Sequence, residues 1–290
     1  MAHLPRLTPE GAVSNIDEQG LTHATASTVI AYRDNQDETV DVTPTQPLPI
    51  SDPMLDISMG VKLGYSWVNK FGQNTAVASG GTEEIWDGST TYTWPTSATI
   101  THVRAAVDSA TTQGQVVEVQ GLDASYVLRI QNATLDGADS TTEVALSPPL
   151  IRVFRMKVLD GTASDQDIQA GPTGFASQQA IITAGNNQTL MAIYTIPAGK
   201  TGYLVTWYAA INPATNQDPT SMPIRVWARD NVNGYAPQIK HIHGITTGHV
   251  QHFYKPYQKY QEKTDIWMTA APVGKAADVS AGFDIILVDN

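Results

Sequence analysis

The sequence contains no cysteine, so no disulfide can staple the fold and no thiol can act as nucleophile or metal ligand. Basic residues are scarce: 17 Lys and Arg stand against 28 Asp and Glu, a formal net charge of −11. Phosphate recognition needs clustered cations that release counterions, and the few cations here are scattered, which argues against a nucleic-acid partner. Charge of either sign is sparse, at 16% of residues against roughly 25% in an average globular domain. Thr, Ser, Asn, Gln and Gly take those positions, giving a surface solvated by neutral groups. No apolar run approaches the roughly 20 residues that a membrane-spanning helix needs, and the N-terminus lacks the apolar stretch of a signal peptide. Neither a membrane partner nor a cleaved leader is expected.

What is present is a long period of two. In Tyr203, Val205, Trp207, Ala209 and Ile211 one face of a strand is wholly apolar. In Ile224, Val226 and Ala228 the apolar face alternates with Arg225, Trp227 and Arg229, which should point to solvent or to a neighbouring subunit. Phe283 to Val288 is apolar on both faces, as a strand between sheets or at a subunit contact would be. Turn clusters such as Leu135-Asp136-Gly137, Pro197-Ala198-Gly199-Lys200 and Asn231-Val232-Asn233-Gly234 separate the runs. Roughly six strands are expected between Tyr92 and Leu159 and roughly eight between Ala180 and Val288. No segment after Asn74 shows a period of 3.6. The expected class is all-β: an antiparallel β-sandwich or jelly roll, as one large domain or two consecutive ones, with an extended N-terminal arm.

Four regions follow. Residues 1–53 are polar, acidic and then proline-rich, too poor in apolar area to fold alone, and read as an extended or disordered arm and stiff linker that orders on a partner. Tyr32, Asp34, Pro47 and Pro49 are its candidate partner-binding residues. Residues 54–160 form a first β-sandwich region. Its opening stretch, Met54 to Asn74, is either a short strand or irregular structure, with Gly60 and Gly64 counting against helix. Residues 161–174 are a linker or a long loop inside one sandwich, and residues 175–290 a jelly-roll-like β region.

The candidate chemistry centres on histidine. His241 and His243, two apart on a strand, share a face, and the turn from Gly244 to Gly248 would return His249 or His252 opposite them. His241, His243 and His249 are thus candidate ligands for zinc, manganese or iron, against the plainer reading of surface or interface histidines on a hairpin. The His-x-His spacing also opens cupin metal sites, but the glutamate expected a few residues later is missing. Gly199-Lys200-Thr201 is a β-turn rather than a phosphate loop, because Tyr194 stands where the loop needs a glycine. Acids group at Glu83, Glu84 and Asp87, at Asp136, Asp139 and Glu143, and at Asp160, Asp165 and Asp167, where carboxylate pairs could serve glycoside hydrolysis or a loop could hold calcium. None has the spacing of a dedicated calcium loop, and no Gly-x-Ser-x-Gly elbow is present. Trp86 and Trp94, beside Tyr92, are candidate partner-binding residues that could stack on sugars, and Tyr254, Tyr257 and Tyr260 form a second aromatic group. No cofactor and no enzymatic activity are expected.

Several phrases carry a family resemblance. Pro49-Ile50-Ser51-Asp52-Pro53, Val68-Asn69-Lys70-Phe71-Gly72-Gln73-Asn74, Ile85-Trp86-Asp87-Gly88 and Tyr92-Thr93-Trp94-Pro95 come first. Arg152-Val153-Phe154-Arg155, Asn187 to Ala192, Tyr194 to Thr201 and Glu262 to Ile266 follow. Together they resemble virion structural proteins of tailed bacteriophages, many of them marine, over about Pro49 to Asn290. The resemblance implies a structural place on the particle and carries no catalytic residues. The expected function is a capsid-surface decoration or cement protein, a homotrimer attached through its N-terminal arm to the major capsid protein or other virion subunits. It would be assembled in the host cytoplasm and reside on the virion surface. The alternative is a host-recognition spike or fibre near the neck or tail that binds surface glycans.

Overall fold

A strand apolar on both faces has to lie between two layers. Residues Thr264 to Ala270 meet that condition, with all seven buried, and the body of the protein is arranged around them. The computed structural model describes residues 52–88, 91–212 and 219–290, together with the backbone of four short strands nearer the N-terminus. Two compact units divide after Asp56. In the first, β1 (Val13–Ile16) pairs antiparallel with β2 (Thr22–Thr25), and β3 (Ala31–Arg33) with β4 (Thr39–Asp41). Asp34, Pro47 and Pro49 lie outside the described residues, as does the side chain of Tyr32.

The short helix α1 (Pro53–Ser58) replaces the strand or irregular segment expected there. Asp52 caps it by accepting from the Met54 amide at 2.9 Å, and Pro53 occupies the first helical position, where a missing N–H costs nothing. Gly60, at φ +71°, stops it after one and a half turns. Glycine that argued against a helix in fact ends one.

From residue 57 onward the chain is a single compact unit. Its strands are β5 (Tyr65–Val77), β6 (Glu83–Glu84), β7 (Ile100–Ala105), β8 (Val116–Asp123), β9 (Leu128–Thr134), β10 (Val144–Val158), β11 (Ile168–Gly171) and β12 (Ala180–Ile182). After these come β13 (Ile193–Thr195), β14 (Lys200–Asn212), β15 (Met222–Asp230), β16 (Gln238–Ile245), β17 (His249–Tyr260), β18 (Thr264–Ala270) and β19 (Ala277–Asp289). The fold is an all-β antiparallel sandwich of three sheets. One runs β12-β11-β7-β10-β8-β9, a second β13-β18-β15-β16 with β6 added to β18, and a third β17-β14-β19-β5. Residues 161–174 therefore do not separate two domains, because β11 within them pairs with β7 on one side and β12 on the other. Between Tyr92 and Leu159 there are four strands rather than six. One of them, β10, runs for fifteen residues, with its register shifting across Pro148 and Pro149, where the ladder can spare a donor.

The five-stranded sheet is shared by two hydrophobic cores. Ile224, Val226, Ala228, Ile266 and Met268 face Leu204, Trp207, Phe283 and Ile285 of the four-stranded sheet in the first core. On the opposite face Ile193 and Trp267 join Ile100, Val119, Leu150 and Met156 of the six-stranded sheet in the second. Each such buried side chain contributes about 1.5–3 kcal/mol relative to exposure. This second core corrects the expectation for β15. Trp227 stacks on Trp267 at 5.9 Å and donates to Thr269 at 2.9 Å, while Arg229 pairs with Asp265, so neither faces open solvent. In β14 a bulge at Val205 shifts the face: Leu204 and Trp207 point inward, and Tyr203 falls on the outer side with Tyr208.

Two buried cations tie the sheets together. Lys70 of β5 donates to the carbonyl of Phe154 in β10, and burial, helped by Arg155, holds its ammonium well below the usual lysine range. Arg152 of β10 bonds both oxygens of Asp265 in β18 at 3.0 Å. Asp265 also accepts from Thr195 of β13 at 2.6 Å, from Arg229 of β15 at 2.6 and 3.1 Å, and from Asn231 at 2.8 Å. Burial alone would raise the Asp265 carboxyl, but the hydrogen bonds and charge of Arg152 hold it below the ordinary range. The folded carboxylate therefore resists protonation at a pH where an unfolded aspartate takes up a proton, and its contribution is present above about pH 4 and lost on further acidification. Asp265→Asn leaves two guanidiniums uncompensated and should cost about 3–5 kcal/mol in urea unfolding at neutral pH. A loss below about 1 kcal/mol would show that the network contributes little.

Candidate functional site

The connection from β16 to β17 is a crossing between sheets. Among the described residues β16 pairs with β15 alone and closes one edge of the five-stranded sheet, and β17 pairs with β14 alone and closes one edge of the four-stranded sheet. His241 and His243 lie opposite Val226 and Ile224, so they face the first core, as the His-x-His spacing requires. His252, opposite Trp207, comes toward them from the other sheet. The His241 and His252 rings stand 4.3 Å apart. Trp207 lies 5.1 Å from His241, 6.3 Å from His243 and 6.2 Å from His252, and Tyr254 closes against His252 at 4.7 Å.

The triad His241, His243 and His249 is not assembled. His249 and His252 differ by three positions, an odd number, and so point to opposite faces of β17; His249 pairs with Ala210 on the outer side. Among the described residues no group of three or more His, Asp or Glu side chains is placed to hold a metal ion. The part-buried rings of His241 and His252 form an aromatic plug with Trp207 and Tyr254 in the seam between two edge strands, with His243 exposed beside them. Burial first, then the neighbouring His252 and His243, lowers the His241 pKa, and burial pushes the Tyr254 hydroxyl up to about 12.

The outer face of β17 has a different character. His249, Gln251, Phe253, Lys255, Tyr257 and Lys259 are all exposed, Phe253 at 59% and Tyr257 at 44%. Tyr203 lies opposite Lys259, and a surface depression beside the strand is lined by Tyr208, Ala210, His249, Gln251 and Ser280. Tyr208 covers Gly282, where any Cβ would collide with its ring, and its hydroxyl accepts from Asn69, which also donates to Asp284 at 2.6 Å. Burial raises the Asp284 carboxyl.

The aromatic residues singled out from sequence are inside. Trp86 is 1% exposed and belongs to the second core. Trp94 is half-buried between the guanidiniums of Arg152 and Arg229, at 5.2 and 4.8 Å, with Trp267 at 4.9 Å on another side. Neither ring offers a free face for sugar stacking. Tyr254 and Tyr260 are buried too, leaving Tyr257 as the exposed member of that group.

Most of the clustered carboxylates brace turns. Glu84 accepts from the Tyr92 amide, Asp136 from Ala138 and Asp139, Asp160 from Val116, and Asp165 from Ser109 and Thr112. Asp87 is held by the Leu190 amide, and burial raises it to about 6.

No family model, curated protein or solved structure matches the chain. The site is therefore read from its own chemistry. Sequence reasoning passed over the exposed strand because the four histidines drew attention to the inner face. The alternation His249, Gln251, Phe253 was the available signal for the outer one, up to the bulge that follows Phe253.

The lowered His241 pKa sets a direction for pH dependence. An unfolded histidine takes up a proton near pH 6.5, which folded His241 resists, so stability falls as pH drops from there toward the folded value. His241→Gln should flatten the loss of unfolding free energy between about pH 7.5 and about pH 5.5. An unchanged slope would mean that the plug does not titrate with folding.

Proposed function

We propose that this chain is a structural subunit of a tailed-phage virion, a capsid-surface protein that assembles through exposed sheet edges, its acidic N-terminal segment attaching it to the major capsid protein or another subunit. The observation that carries the reading is β9, which ends the six-stranded sheet with no further strand paired to it among the described residues. It presents Leu128 at 42% and Ile130 at 60% exposure, with Val127 at 41% just before it. A monomer that must stay monomeric covers or charges such an edge. A subunit of a particle uses it. The low charge density and acidic balance suit a surface that has to coexist with packaged DNA, and the phrase resemblance from Pro49 onward supports the virion assignment.

A second reading, a host-recognition protein that binds surface glycan, is favoured by the exposed ring-and-lysine strand β17. The two differ in copy number: many copies per particle for the first, few at one vertex for the second. For the assembly edge, Leu128→Lys with Ile130→Lys should convert a trimeric species to monomer in light scattering without shifting the unfolding midpoint. A wild-type chain that is monomeric at high concentration would overturn the assembly reading.

A further inference from the structure

Six cations of the described residues pair with carboxylates. Arg104, Arg129, Lys157 and Lys200 each meet a carboxylate, and Arg152 and Arg229 converge on Asp265. Among the described residues Lys255 and Lys259 meet none, although 28 acids are available in the chain. Both lie exposed on β17, interleaved with Phe253 and Tyr257. Two such cations and two open rings, Lys255 and Tyr257 in the bulge of β17 and Phe253 and Lys259 in the ladder on either side of it, make an arrangement complementary to a ligand carrying both negative charge and apolar faces. Among the described residues no strand covers the outer edge of β17, whose regular part adds backbone donors and acceptors, and His249 and Gln251 lie beside the Tyr208 depression.

We propose that β17 is a binding site for an acidic polysaccharide, in which Lys255 and Lys259 pair with carboxylates of successive uronic-type sugars while Phe253 and Tyr257 stack on the apolar faces of the rings. This rests on the glycan-binding reading above and names its ligand class and its residues. Sugar rings fit because an aromatic face meets their C–H surface without the loss of a hydrogen bond, and a carboxylate on each ring answers an unpaired lysine. A nucleic acid fits less well: its phosphates concentrate charge along the whole chain, against two lysines on this strand and a net charge of −11.

The test titrates the full chain by calorimetry with alginate oligosaccharides, with neutral dextran and with a single-stranded oligonucleotide, at about 0.05 M salt and again at about 0.5 M, where exposed ion pairs are screened. Alginate should bind at low salt, weaken at high salt and exceed both other probes. Lys255→Glu with Lys259→Glu should weaken alginate binding by at least about tenfold, and Phe253→Ala by a smaller factor that dextran does not reproduce. All three positions are exposed, and an unchanged unfolding midpoint checks that the variants fold. Alginate binding that survives the double charge reversal would overturn this site while leaving glycan recognition standing elsewhere on the body. An absence of binding to either polysaccharide would sink both, and tighter binding of the oligonucleotide would replace the ligand class.

Discussion

Asp265 is a carboxylate with no exposed surface, and a charge so placed is tolerated only when its oxygens are filled. The donors come from β10, β13, β15 and the turn after β15, so the side chain acts as a common node for two sheets. Its demands propagate outward. Arg229 stands directly opposite it in the β15–β18 register, so a slip of that ladder by one residue would send the guanidinium to the other face. Arg152 has to enter from the six-stranded sheet, which fixes the approach of β10, and Trp94 lies against both guanidiniums, keeping water from them. The second core closes around this node rather than the reverse.

Because the five-stranded sheet is covered on both faces, little of its apolar surface is available for contacts, and interaction falls to the strands that end each sheet. β9, β16 and β17 are such strands, and each shows a different solution. β9 leaves aliphatic side chains open. β16 exposes Ile239 and Ile242 outward and turns His241 into the seam. β17 exposes rings and cations side by side. The seam between β16 and β17 is filled by imidazole and indole, of which His241 is the group that burial makes reluctant to take up a proton.

Much of the fold was legible because it rests on local periodicity. The inward faces of β15, β18 and β19 follow from alternation alone, as does the shared face of His241 and His243. Period two fails where a strand is irregular: Tyr203 and Trp207 read as one face until the bulge at Val205 separates them. Solvent exposure was the least legible property. Trp86, Trp94 and Arg229 looked like surface groups because nothing in the chain shows that a third sheet covers them; the partners Arg152 and Asp265 are 113 residues apart. The histidine triad failed because His249, opposite Ala210, falls on the outer face of β17, while His252, three positions on, takes the inner one. Helix α1 was missed because its capping residues, Asp52 and Pro53, fell within a stretch taken for linker.

The last strand has a consequence for how the body comes into being. β19 lies between β14 and β5, so β5, the first strand of the body, has no sheet to join until β19 exists; Asn69 and Asp284, which bond across that ladder, are 215 residues apart. During synthesis the six-stranded sheet can form from contiguous chain, while β5 waits with both of its edges bare. Closure of the first core is then a late event that depends on long-range pairing, the kind of contact that slows folding and leaves apolar surface open in the interim. A nascent chain in this state is vulnerable to pairing with its neighbours, because a bare edge accepts a strand from another copy on the same terms as its own last strand.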